Sequence, residues 1–409
     1  MRISTHQMFQ TGTNYLLDGQ SNLFNVQNKL GTGKKFLSAA ENPVAATQAL
    51  LTSQSIGVNA QYAENQANAK SQLALEEDRL KSVVDSVLFI MEQTVAAGNG
   101  TYSDGQREFI AQEIQSQLEF LVGMANSTDT NGYYLFSGFQ GNTKPFQAIP
   151  QAGGTIKYQY AGDDGQRLFQ VGSSRQIAVS DSGRDIFERI RTGNGTFALT
   201  GDPGNTGSST MGKSSVNNQA LWTGSNYDIQ FDNPPTTYTI TETDTAGTVT
   251  TTGPHAYVSG ADITVIPGIS FAIGGTPAAG DKYNIAPSRD QSLFVTLQNL
   301  VSAISTDFEN NPAQAANAKN IIAAEMNNLQ RDLENTTAMQ ASIGNRRLEL
   351  DSLSEVSSAL ELHYKERLSE LQDLDYAQAI SDFMQQQMQL EAAQSSFAKM
   401  TSLSLFQYI

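Results

Sequence analysis

Cysteine is absent from the 409 residues, which excludes disulfides and every thiolate-based site. The absence suits a chain that crosses compartments unfolded, because no thiols can mispair, though it also fits a cytosolic protein. Histidine is scarce: His6, His255 and His363 stand at no metal-ligand spacing. Basic residues are few, 25 Lys and Arg against 41 Asp and Glu, giving a net charge of −16 and a pI near 4.6. That balance argues against nucleic acid or an anionic membrane as the partner. No apolar run approaches the roughly 18–20 residues of a membrane span; the best, Val83–Met91, is interrupted by Asp85 and Ser86. The opening residues lack the apolar core of a secretory signal, so none is expected.

The motifs of catalysis are missing too. G-x-S-x-G does not occur. Gly31-Thr32-Gly33-Lys34-Lys35 fails as a phosphate loop, with Asn28 where the first glycine belongs and Lys35 where Ser or Thr must reach magnesium. Asp163-Asp164 lacks the other ligands of a calcium loop. The chain is therefore expected to hold no catalytic, cofactor-binding or metal-ligating residue and not to be an enzyme. The aromatics Tyr133, Tyr134, Phe136 and Phe139 read as core.

What the chain does have is helical periodicity at both ends. From Ala379 the positions Phe383, Gln386, Leu390, Ala393, Phe397 and Met400 alternate steps of four and three, as a coiled-coil seam requires. At the front, Phe9, Leu16, Leu23 and Leu30 are seven apart, with Gly12, Gly19 and Val26 between them. An isolated helix of this length is marginal in water, so both stripes read as assembly elements awaiting a neighbour. Residues 1–35 carry Arg2, Lys29, Lys34 and Lys35 against Asp18, whereas 375–409 carry Asp375, Asp382 and Glu391 against Lys399. The opposite signs favour pairing of the ends.

Between the ends, Asn42-Pro43 starts a helix that runs to about Ala97. Ser103 or Asp104 caps the next, which carries Ile110, Ile114, Leu118, Leu121 and Ala125. Tyr133–Phe136 reads as a short strand. From Pro145 to about Pro287 period two replaces period 3.6. Ile156, Tyr158 and Tyr160 with Leu168 and Val171 predict a hairpin turning at Gly162–Gly165. Tyr238 and Ile240, then Ile263–Ile273, predict further strands, and Thr200–Asn218 a long loop. Helix returns after Pro287, breaks at Asn310–Pro312, and changes phase near Asp375 as a stutter would. The fold class is α+β: a long helical bundle or coiled coil from both termini with an inserted all-β outer domain. The expected divisions are 1–42 with 375–409 as terminal assembly helices, 43–144 with 288–374 as a helical rod, and 145–287 as a β-rich insertion of one or two lobes.

These residues resemble the flagellin superfamily, most closely its hook-associated proteins of the hook–filament junction. The resemblance rests on Met1–Thr5 with Met8-Phe9, Thr32–Lys35, Pro43–Ala46, Ala125–Thr128, Leu135–Gly138 with Pro145-Phe146, and the closing Ser404–Ile409. Glu41-Asn42, Gly31 and Gln407 depart from the usual pattern without breaking a helix. In the middle, Pro267–Ser270 with Gly280-Asp281 is similar to outer domains of hook-associated proteins. The resemblance implies a structural subunit of the bacterial flagellum, exported unfolded through the flagellar type III apparatus. It would join a hook-side junction protein to flagellin in a homo-oligomeric ring or helical array, and an export chaperone would hold its C-terminal region. The expected assembly interface is Phe9, Leu16, Leu23, Leu30, Phe383, Leu390, Phe397, Met400, Leu405 and Phe406. A filament subunit of flagellin type is the alternative.

Overall fold

The computed structural model describes residues 5–151 and 156–402, with side chains for 7–151 and 156–399. The chain divides into two compact units: residues 1–65 with 352–409, and residues 66–351. Helices α1 (Thr5–Thr32), α2 (Pro43–Ala97) and α3 (Asp104–Ala125) form the front. Their starts follow local chemistry. Asn42 accepts a hydrogen bond from the Ala45 amide at 3.1 Å, with Pro43 in the first position, where a missing N–H costs nothing. Ser103 and Gln106 form a reciprocal capping box on α3.

Thirteen strands are seen among the described residues of Phe146–Pro287: β1 (146–150), β2 (156–160), β3 (168–170), β4 (176–178), β5 (190–191), β6 (197–201), β7 (210–216), β8 (226–231), β9 (237–243), β10 (249–256), β11 (262–263), β12 (269–274) and β13 (282–287). The helix α4 (Gly183–Phe187) lies among them, and β14 (290–291) follows. Then come α5 (Leu293–Ile304), α6 (Pro312–Gln372) and α7 (Tyr376–Ser402). Antiparallel pairing builds a five-stranded sheet in the order β10-β9-β8-β13-β6 and a three-stranded sheet in the order β11-β12-β7. Both contribute to one core, in which Ile229, Phe231, Phe271, Ile273, Tyr283 and Ile285 are fully buried. A second core is aromatic: Phe136, Phe146, Phe187 and Phe294 pack with ring centroids 5.0–5.9 Å apart.

Several sequence expectations give way to tertiary contacts. Tyr133–Phe136 forms no strand: it carries one isolated bridge, Thr128 to Tyr134, and turns. Phe136 is buried there, but Tyr133 and Phe139 are exposed, so this aromatic cluster is only partly core. The Gly162–Gly165 hairpin does not form: β2 pairs with β1, and β3 with β4. The Asp163 carboxylate instead accepts from the amides of Phe139 (2.9 Å) and Gly165 (2.8 Å), which ties the loop to a distant turn. Thr200–Asn218 contains β7, whose partner β12 supplies the apolar residues that β7 lacks. At Asp375 the helix stops rather than stutters. Asp375 caps α7 through the amides of Ala377 and Gln378, at 3.0 and 3.2 Å.

Within residues 66–351 the helices bury Leu73, Leu80, Val83, Val87 and Ile90 of α2 with Ile114, Leu118 and Leu121 of α3, Leu297 and Leu300 of α5, and Leu329 and Ile343 of α6. Each such side chain contributes about 1.5–3 kcal/mol. Alongside this apolar stripe α6 presents a line of polar side chains that bind the backbone of the β-rich segment. Asn317 donates to the carbonyls of Pro203 and Asn205, both at 3.1 Å. Asn320 accepts from the Met211 amide at 2.7 Å and donates to the Ser209 carbonyl at 3.2 Å. Asn328 accepts from Gly193 at 2.8 Å, Asn335 donates to Asp185 and Ile186 at 2.9 and 3.1 Å, and Arg346 donates to Ala178 at 3.0 Å. At about 100° per residue these five positions fall on one edge of the helix.

Asn320→Ala removes both bonds of a buried amide and leaves the Met211 N–H without its acceptor. The expected loss is about 1–3 kcal/mol, read as a lowered urea midpoint with unchanged slope.

Candidate assembly interface

The two terminal stripes meet each other. In the unit made of residues 1–65 and 352–409, α1 lies antiparallel to α7: Gly12 faces Phe397 and Gly19 faces Leu390. The glycines set the spacing. A Cβ on Gly12 would come within 2.8 Å of the Phe397 ring, and one on Gly19 within 3.2 Å of Leu390. The rings of Phe9 and Phe397 are 5.2 Å apart, although Phe9 stays 55% exposed. Leu16, Leu23 and Leu30 are half-buried along α1, as are Phe383, Leu390 and Phe397 along α7. The two sequence stripes therefore pack against each other within the chain. Leu405, Phe406 and the Met400 side chain lie outside the described residues.

At the base of the pair the non-helical segments are stitched together. Lys35 N–H donates to the Gln372 carbonyl and Leu374 N–H to the Gly33 carbonyl, both at 2.8 Å. Gly33 has φ +69, and a Cβ there would lie 2.9 Å from the Tyr376 hydroxyl. Only glycine tolerates both conditions. Lys29 and Glu41 form an ion pair at 2.8 Å, and hydrogen bonding to Lys29 holds the Glu41 carboxyl below its ordinary value.

The pair is two-sided. On one side Gly12, Tyr15 and Gly19 of α1 and Gln386, Ala393 and Ser396 of α7 line a groove of about 480 Å³. Rotation at 100° per residue puts Leu17 and Phe24 on the opposite side of α1, and Ile380, Met384 and Met388 on the matching side of α7. All five are exposed, Phe24 at 62% and Met388 at 70%. Reading one stripe per helix missed this second face. Its signal was the seven-residue spacing of Leu17 and Phe24 and the four-residue spacing of Met384 and Met388.

Among the described residues no three His, Cys, Asp or Glu side chains gather to hold a metal, and no helix is long and apolar enough to cross a membrane. Residues 3–141 match the bacterial flagellin N-terminal helical region. Over its full length the chain is 26% identical to flagellar hook-associated protein 3 of Salmonella typhimurium, covering 99% of that protein. The chain is homologous to flagellar hook-associated protein 3. The crystal structure of flagellar hook-associated protein 3 from Legionella pneumophila superposes with a TM-score of 0.71 at 27% identity, covering 78% of this chain and 98% of that one. Phase 1 flagellin of Salmonella naestved is 29% identical over 49% of this chain but only 40% of its own length. The homologues are flagellar structural proteins, and so is this chain, not an enzyme.

Phe397→Ala is expected to weaken the α1–α7 pair by about 1–2 kcal/mol. That is below the roughly 3–5 kcal/mol of a fully buried Phe, because the ring is only partly buried. Protease cleavage within α7 should accelerate, while the thermal transition of residues 66–351 stays in place.

Proposed function

We propose that the chain is the subunit that joins the hook-side junction protein to the flagellin filament, assembling through its terminal helices. The observation that carries this reading is the two-sided α1–α7 pair. A groove on one side and an apolar ridge on the other cannot satisfy each other within one molecule. Contacts between unlike faces of identical subunits are heterologous, and they propagate as rings or helical arrays. The homology supports the junction over the filament, because hook-associated protein 3 matches from end to end while flagellin matches less than half of the chain.

In this reading residues 1–42 and 375–409 are the assembly helices, 43–144 and 288–374 the helical rod and 145–287 the outer β part. The partners are further copies of the chain, the adjacent hook-associated junction protein and flagellin. An export chaperone holds the C-terminal region before passage through the flagellar type III apparatus. The chain acts outside the cell, at the hook–filament junction.

Immunogold labelling of intact cells tests the location: label at one point between hook and filament is expected, and label along the filament would mean a flagellin-type subunit. Phe24→Asp with Met388→Asp tests the interface. Both side chains are solvated in the monomer, so its melting temperature should hold. In the assembled array each buried, unpaired carboxylate would cost several kcal/mol per subunit. Cells carrying the variant should therefore release flagellin into the medium.

A further inference from the structure

Residues 66–351 contain a polar node that the assembly reading does not use. Glu76 of α2 is 1% exposed, and its Oε1 accepts from the Asp181 amide at 3.1 Å. Its Oε2 finds no donor among the described residues, and neither does Oε1 of Gln72, one turn earlier on α2. Two buried acceptors thus share one helix face with no hydrogen between them. Three charged groups face Glu76: the Asp181 carboxylate, the Arg346 guanidinium and the Arg167 guanidinium. Asp181 is itself engaged, accepting from Gln166 at 2.8 Å and pairing with Arg346. Arg346 and Arg167 both reach the segment that carries β3 and β4, Arg346 through the Ala178 carbonyl and Arg167 as part of it. Arg167 N–H donates to Ser180 Oγ at 3.0 Å, and Val179 N–H donates to the Arg167 carbonyl at 2.8 Å.

We propose that this node is a proton-operated latch: a proton on Glu76 gives its Oε2 a donor toward Gln72 and leaves the Asp181 carboxylate facing no second charge, so that residues 166–182 stay against α2 and α6, and its loss loosens that segment. Burial, reinforced by the Asp181 carboxylate, pushes the Glu76 carboxyl up to about 8, against the opposing pull of Arg346 and Arg167. In the unfolded chain the same carboxyl titrates near 4.5. The folded latch therefore keeps a proton that the unfolded chain has released. Its contribution is complete below pH 4.5, declines as pH rises, and is gone above about 8. Ionised Glu76 would then stand beside the Asp181 carboxylate in a nearly dry site, offset only in part by the Arg346 and Arg167 guanidiniums.

Glu325 and Asp332 of α6 are also held above their ordinary values by burial, so whole-chain melting cannot isolate the latch. Amide hydrogen exchange on the full chain can. Protection factors at Asp181 and Val179, relative to Ile229 and Ile285 in the five-stranded sheet, should fall at least about tenfold between pH 6 and pH 9. In Glu76→Gln, whose amide brings a donor and no charge, the ratio should stay flat. Glu76→Met gives a second uncharged variant and should also be flat if Glu76→Gln does not fold. A flat ratio in the wild-type chain overturns the proposal, and so does an undiminished fall in either variant.

Discussion

One polar edge of α6 clamps the stretch of the β-rich segment from Ala178 to Met211. A sheet can bury its apolar face within its own core, as Ile229, Phe271 and Ile285 do, and then has no apolar reason to adopt one pose on a helix. Asn317, Asn320, Asn328, Asn335 and Arg346 provide that reason by engaging backbone groups of five separate stretches, from Ala178 to Met211. Each bond contributes only about a kcal/mol net, but an unpaired buried amide or carbonyl costs more than its bond returns. A slip of α6 by one turn would orphan all of them together. The edge sets position by penalising every alternative.

The terminal pair follows the opposite logic. Its seam uses Gly12 and Gly19 to admit Phe397 and Leu390, so the helices approach closely but bury little. Phe9 is left half in water and Phe24 and Met388 mostly so. Such a pair is weak alone and apolar on the outside, which suits a surface completed by copies of itself.

Much of this architecture was legible in the chain. Helix boundaries were written locally: Asn42-Pro43, Ser103 with Gln106, and Asn311-Pro312 all start helices through short-range amide capture. The seven-residue spacing of Leu73, Leu80 and Val87, and the change to period two at Pro145, report burial on one face and need no knowledge of the partner. The stripes Phe9–Leu30 and Phe383–Phe397 were legible for the same reason.

Tertiary structure decided everything that depended on distant partners. Asp163 looked like half of a tight turn, but its carboxylate is committed to the Phe139 amide, 24 residues away. The polar β7 became a strand because β12 lies beside it. Asp375 marked a stop rather than a stutter, since Gly33 and Lys35, distant in sequence, supply partners for the broken helix. Nothing in the sequence marks Glu76; burial beside Asp181 is what raises its carboxyl. By itself the sequence determined the elements and their apolar faces, because these follow from interactions within a few residues. Strand partners, polar clamps and shifted protons came from the fold, because each is set by which remote group shares the same dry space.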